Sequence, residues 1–146
     1  MVPRKPPILV VDDDDDFRGS IVGILERSKF PSFAARSGTE AFNFIEQRRQ
    51  LYGDAYVRLI LSDWKMPDGD GIVLLNRLRA TPNAGIPFVL MSGAVTRAEL
   101  MEAAKWGPDA VLLKPFRVDK LFEIIETLTG PFAKPRGSRP PWNEVD

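Results

Sequence analysis

Residues 8–16 read Ile8-Leu9-Val10-Val11-Asp12-Asp13-Asp14-Asp15-Asp16. The first four are an unbroken apolar run rich in β-branched residues. Such a run suits a strand buried on both faces, as in a parallel sheet. Five aspartates follow at once. Phe17, Ile21, Ile24, Leu25 and Ser28 then fall at i, i+4, i+7, i+8 and i+11, a helical stripe. Asp14, Asp15 and Asp16 sit in the first turn, where the helix dipole favours negative charge. The unit is therefore a buried strand, carboxylates at its carboxyl end, and a helix.

The same unit recurs downstream. Phe33-Ala34-Ala35 is a short strand. Ser37 and Glu40 form a capping box for a helix to about Arg49 that buries Ala41, Phe44 and Ile45. Residues 51–56 connect it to a strand over 57–62, which ends at Asp63. Residues 66–71, Met66-Pro67-Asp68-Gly69-Asp70-Gly71, are turn-rich. Asp68 and Asp70 lack the remaining spacing of a calcium loop and read as a turn and an N-cap. Gly71, Leu74, Leu75 and Leu78 mark the next helix, stopped by residues 81–85. A strand over 87–91 ends at Ser92-Gly93. Thr96 and Glu99 form a second capping box, whose helix buries Leu100, Ala103 and Ala104 and closes at Gly107-Pro108. The last strand, over 110–113, ends at Lys114-Pro115, and a final helix carries Val118, Leu121, Phe122, Ile125 and Leu128. Five strands alternating with five helices make an α/β fold, a doubly wound parallel sheet with right-handed crossovers and helices on both faces.

Domain boundaries follow from composition. Residues 1–6 are an N-terminal extension and residues 7–129 are the domain. Residues 130–146, with Pro131, Pro135, Pro140 and Pro141 among them, read as a Pro-rich tail or linker carrying Trp142. The chain has 146 residues, enough for one core without staples.

The composition excludes whole classes of chemistry. There is no Cys and no His, so thiolates, disulfides and imidazole bases are ruled out. Lys plus Arg and Asp plus Glu each number 20, so the net charge is zero and nothing points to nucleic acid as a partner. No helix-turn-helix reader is visible. No apolar run approaches the length of about 20 residues that a membrane span requires. The sequence thus reads as a cytoplasmic protein with no membrane contact.

In a parallel sheet all strand ends of one kind share an edge, and ligands bind beyond the carboxyl ends. The residues placed there are Asp12 and Asp13, then Asp63, Ser92 and Lys114. Three carboxylates at close range repel one another, and a hard divalent cation removes the conflict. Mg²⁺ suits the site, Mn²⁺ being possible, because such ions take carboxylate oxygens and keep positions open for phosphate. Lys114 and Ser92 offer an ammonium and a hydroxyl to the remaining phosphate oxygens. The implied chemistry is phosphoryl transfer, and without Cys or His the nucleophile is a carboxylate.

These stretches, with Leu61-Ser62-Asp63-Trp64-Lys65-Met66-Pro67, Met91-Ser92-Gly93 and Leu113-Lys114-Pro115-Phe116, resemble the receiver domain of two-component response regulators over about residues 6–129. The resemblance implies a CheY-like, flavodoxin-like sheet in strand order 2-1-3-4-5. It implies that Asp63 is the phosphoacceptor, fed by a histidine kinase or a histidine phosphotransfer protein. Asp13 and Asp63 would ligate Mg²⁺ directly and Asp12 through water, with the backbone carbonyl of Lys65 completing the shell. Ser92 would move toward the phosphoryl group, Lys114 would contact it, and the Lys114–Pro115 bond would be cis. Such a module would be no enzyme in the ordinary sense, catalysing only its own phosphorylation and dephosphorylation, and would act through an unknown downstream protein.

Two positions depart from the family. Val111 stands where the family has an aromatic rotamer switch. Lys65, two residues after the acceptor, carries a long cationic side chain expected to overhang the phosphoryl site and to pair with a phosphoryl oxygen or with Asp14. Lys65 also counts against a phosphatase with an Asp nucleophile, which needs a general-acid Asp there. A flavodoxin-like nucleotide binder would need a Gly-rich loop where the five aspartates stand. A pseudo-receiver that only binds protein is the remaining alternative.

Overall fold

The computed structural model describes residues 5–93 and 95–131. The expectations for the start of the N-terminal extension, for most of the Pro-rich tail and for Trp142 lie outside the described residues. The elements are β1 (Ile8–Val11), α1 (Asp15–Arg27), β2 (Ser32–Ala35), α2 (Gly38–Tyr52), β3 (Leu59–Asp63), α3 (Gly71–Arg79), a 3₁₀ turn (Pro82–Gly85), β4 (Phe88–Ser92), α4 (Arg97–Lys105), β5 (Ala110–Leu113) and α5 (Val118–Thr129). All strand pairs are parallel, in the order β2-β1-β3-β4-β5.

The apolar runs do what their continuity demands: β1 is buried on both faces. Ile8 and Val10 join Leu59, Leu61, Val89 and Met91 under α1 and α5, where Ile21, Leu25, Leu121 and Ile125 cover them. Leu9 and Val11 face the other way, with Ile60, Phe88 and Leu90, under Ile45, Leu74, Leu75, Leu78 and Ala103. Period-2 alternation within each strand thus feeds two cores, one per face.

Local chemistry sets the helix ends. Asp14, not a first-turn residue, is the N-cap of α1, its carboxylate accepting from the N–H groups of Asp16 and Phe17. Asp70 caps α3 in the same way through Val73. The Thr96–Glu99 capping box is complete. The Ser37–Glu40 box is only half formed, because the Glu40 carboxylate pairs with Arg36 instead. Three further expectations are corrected. The helix after Ser37 runs past Arg49 to Tyr52, because Gly53 takes the left-handed conformation (φ 79°) that closes a helix. The third strand begins at Leu59 rather than at 57. Ala104 is exposed, since only Ala103 of that pair faces the sheet.

Candidate acidic phosphoryl site

The carboxyl ends of β1, β3, β4 and β5 deliver the site. Backbone bonds continue the ladder one step beyond the strands: Asp12 N–H to Ala35 O (3.1 Å), Trp64 N–H to Met91 O (2.9 Å) and Lys114 N–H to Ser92 O (2.6 Å). These bonds hold the side chains of Asp12, Asp63 and Lys114 in register on one edge. Carboxylate oxygens of Asp12, Asp13 and Asp63 lie within 4.8 Å of one another.

Asp12 is fully buried. One of its oxygens accepts the Asp14 N–H at 2.9 Å and the other accepts the Lys114 ammonium at 2.9 Å. Arg18 donates to the Asp12 carbonyl at 2.9 Å. Lys114 also reaches Asp63 Oδ1 at 3.3 Å, and the same oxygen accepts the Trp64 N–H at 3.0 Å. Burial, and secondly the charge of Asp12, push the Asp63 carboxyl above its usual range, against the pull of Lys114 and the Trp64 N–H. Asp13 is exposed at the rim and Ser92 is buried at the end of β4. The Lys114–Pro115 bond is cis. Three carboxylates face one ammonium, so the pocket has a charge deficit that a hard cation fits, and its donors are all oxygens.

The two atypical positions are also placed. Val111 is half-buried and packs against the core layer of α2, α3 and α4. Lys65 does not pair with Asp14. Its ammonium lies over the Trp64 ring at 4.4 Å and 3.7 Å from Glu99 at the start of α4, on an exposed rim. Glu99, whose other carboxylate oxygen closes the α4 capping box, brings its Oε2 to the β3–α3 loop. One neighbour escaped the sequence reading. The Phe17 ring lies under the Lys114 ammonium at 4.0 Å and meets Phe116 edge to face at 5.9 Å. Sequence spacing marked Phe17 only as the first residue of a helical stripe.

A five-stranded doubly wound sheet in this order, with an acidic pocket and a lysine at its carboxyl edge, is the architecture of a receiver-type signalling module. The chain belongs to the response regulator receiver domain family, whose model matches residues 8–126. It is 29% identical over 124 residues to the chemotaxis protein CheY1 of Helicobacter pylori strain J99, covering 84% of this chain and 96% of that protein. Among solved structures, the Francisella response regulator 1452 receiver domain matches with a TM-score of 0.73 at 31% identity, over 85% of this chain and 96% of that one. The signal receiver domain of a signal transduction histidine kinase from Syntrophus aciditrophicus matches with a TM-score of 0.74 at 27% identity, over 84% and 89%. The protein is thus a receiver domain of two-component signalling, a signalling module rather than an enzyme in the ordinary sense. No helix among the described residues is long and apolar enough to cross a membrane.

Proposed function

We propose that Asp63 accepts a phosphoryl group from a phosphohistidine of a histidine kinase or a phosphotransfer protein. The observation that carries this reading is the Lys114 ammonium held between buried Asp12 (2.9 Å) and Asp63 (3.3 Å) beside a cluster of three carboxylates. Hydrogen bonds from described residues go to Asp63 Oδ1, which leaves Oδ2 to attack phosphorus. The new O–P bond forms as the P–N bond breaks and the imidazole leaves with the electron pair. Lys114 and the Ser92 hydroxyl then face phosphoryl oxygens, as cation and donor.

Asp12, Asp13, Asp63 and the Lys65 carbonyl are the groups to hold Mg²⁺ or Mn²⁺. The ion, when bound, supplies positive charge for the phosphate oxygens. Residues 7–129 form the working unit, with residues 130–146 as a linker or tail.

The test is exposure to a small acyl-phosphate donor with Mg²⁺, read by intact mass. One phosphoryl group is expected on the wild type and none on Asp63→Asn. Equal uptake by the variant would refute the acceptor assignment, and no uptake by the wild type would favour the protein-binding pseudo-receiver.

A further inference from the structure

Lys114 starts at the end of β5 and must cross two strands to reach Asp12. A four-carbon stem with free rotors does not hold such a pose unaided. Its ammonium has three N–H bonds, of which two serve Asp12 and Asp63. The remaining side of the cation rests on a ring: Nζ lies 4.0 Å from the Phe17 centroid. That is inside the range in which an aromatic face attracts a cation. Phe17 is itself fixed twice. Its N–H donates to the Asp14 cap at 3.1 Å, and its ring stands at 85° to Phe116, two residues beyond Lys114. The ring therefore belongs to α1 and the cation to β5, and the contact ties the two at the site.

The choice of an aromatic has a physical reason. Residues 12–16 are all aspartate, and one more carboxylate under Lys114 would add to the repulsion and hold the cation by a strong hydrogen bond. A ring face attracts the ammonium with no net charge and takes none of the N–H directions aimed at the carboxylates. A methylene-rich side chain of the same bulk would fill the space and give no such attraction.

We infer that Phe17 is a positioning residue for phosphoryl transfer, acting through Lys114 by a cation–π contact that keeps the ammonium between Asp12 and Asp63. This inference rests on the proposed function and adds a residue to it.

The experiment has two arms. In metal-free protein, the Lys114 ε-methylene protons should show an upfield ring-current shift, lost in Phe17→Leu and kept in Phe17→Tyr. In the phosphorylation assay, Phe17→Leu should slow uptake by roughly 3- to 10-fold at saturating donor, while Phe17→Tyr and Phe17→Trp retain the wild-type rate. Progressive fluorination of Phe17 weakens the face of the ring at nearly constant shape, so the logarithm of the rate should fall stepwise with each fluorine. Rates that ignore fluorination, or Lys114 shifts unchanged in Phe17→Leu, overturn the inference. Lys114→Ala separates the two readings. If it phosphorylates like the wild type, the proposed role of Lys114 fails. If it is slow while Phe17→Leu is not, only the role of Phe17 fails.

Discussion

Gly71→Ala is the most informative single substitution near Asp63. Gly71 opens α3 and lies against the end of β3, donating its N–H to the Trp64 carbonyl at 2.8 Å. A β-carbon at this position falls far inside contact distance of the Asp63 carbonyl oxygen, 2.8 Å from Leu90 Cδ1 and 3.2 Å from Ser62 Oγ. The leucine methyl can rotate aside. The Asp63 carbonyl is backbone at the end of a buried strand, and Ser62 Oγ already donates to it at 2.9 Å. Relief therefore requires a shift of the strand end or of the helix start. Overpacking of this kind costs about 1–3 kcal/mol. At roughly 4 °C per kcal/mol for a domain of this size, the melting temperature should fall by about 4–12 °C. Gly19→Ala is the matched control, because that glycine lies inside α1 with nothing within 4 Å of its would-be β-carbon. There the same change should stabilise by about 0.5–1 kcal/mol. By the proposed function, a displaced acceptor also slows phosphoryl uptake by about 10-fold or more, since misplacement by about 1 Å costs up to 10²-fold. Thermal unfolding by circular dichroism and the rate of mass gain with an acyl-phosphate donor read the two effects. A Gly71→Ala protein that melts with the wild type and phosphorylates at its rate would refute the close-approach argument.

Further outcomes follow from other contacts. Arg79→Met removes the 3.2 Å guanidinium contact of the fully buried Asp109 carboxylate, which still accepts the Phe88 N–H at 2.8 Å, and a urea titration should show a loss of about 1–3 kcal/mol. Saturating Mg²⁺ should stabilise the wild type by mass action, by about 2.7 kcal/mol at one hundred times Kd, and raise its melting temperature far more than that of Asp13→Ala; equal shifts would remove Asp13 from the metal set. Asp63 is an acid whose folded pKa lies above its ordinary value, so its ionisation opposes folding. Metal-free protein should therefore gain stability as pH falls from neutral through that folded pKa, and Asp63→Asn should melt higher than wild type at neutral pH and lack the gain. Glu46 works in the opposite sense. Its pKa is held down chiefly by the Arg49 hydrogen bond, so its contribution is present above its ordinary value and lost as pH falls through the folded one; Glu46→Gln should flatten the acid limb of the melting curve.

What residues 8–28 determined by themselves was the strand–carboxylate–helix unit, because continuous apolar burial and helical periodicity are local properties of a chain. Repetition of that unit placed Asp12, Asp63, Ser92 and Lys114 on one sheet edge, since every parallel strand ends on the same side. Strand order came with the resemblance to receivers. Local signals also set most caps, such as Asp70 and the Thr96–Glu99 box. They missed the end of α2, which runs to Tyr52 and is closed by Gly53 rather than ending near Arg49, and the one-sided burial of the Ala103–Ala104 pair. Only the tertiary structure decided which charges meet. Lys65 meets Glu99 at the start of α4 and the face of Trp64, not Asp14. Lys114 found the face of Phe17 because the β2-β1-β3-β4-β5 order brings α1 and the end of β5 to the same rim, a proximity between distant residues that no periodicity encodes.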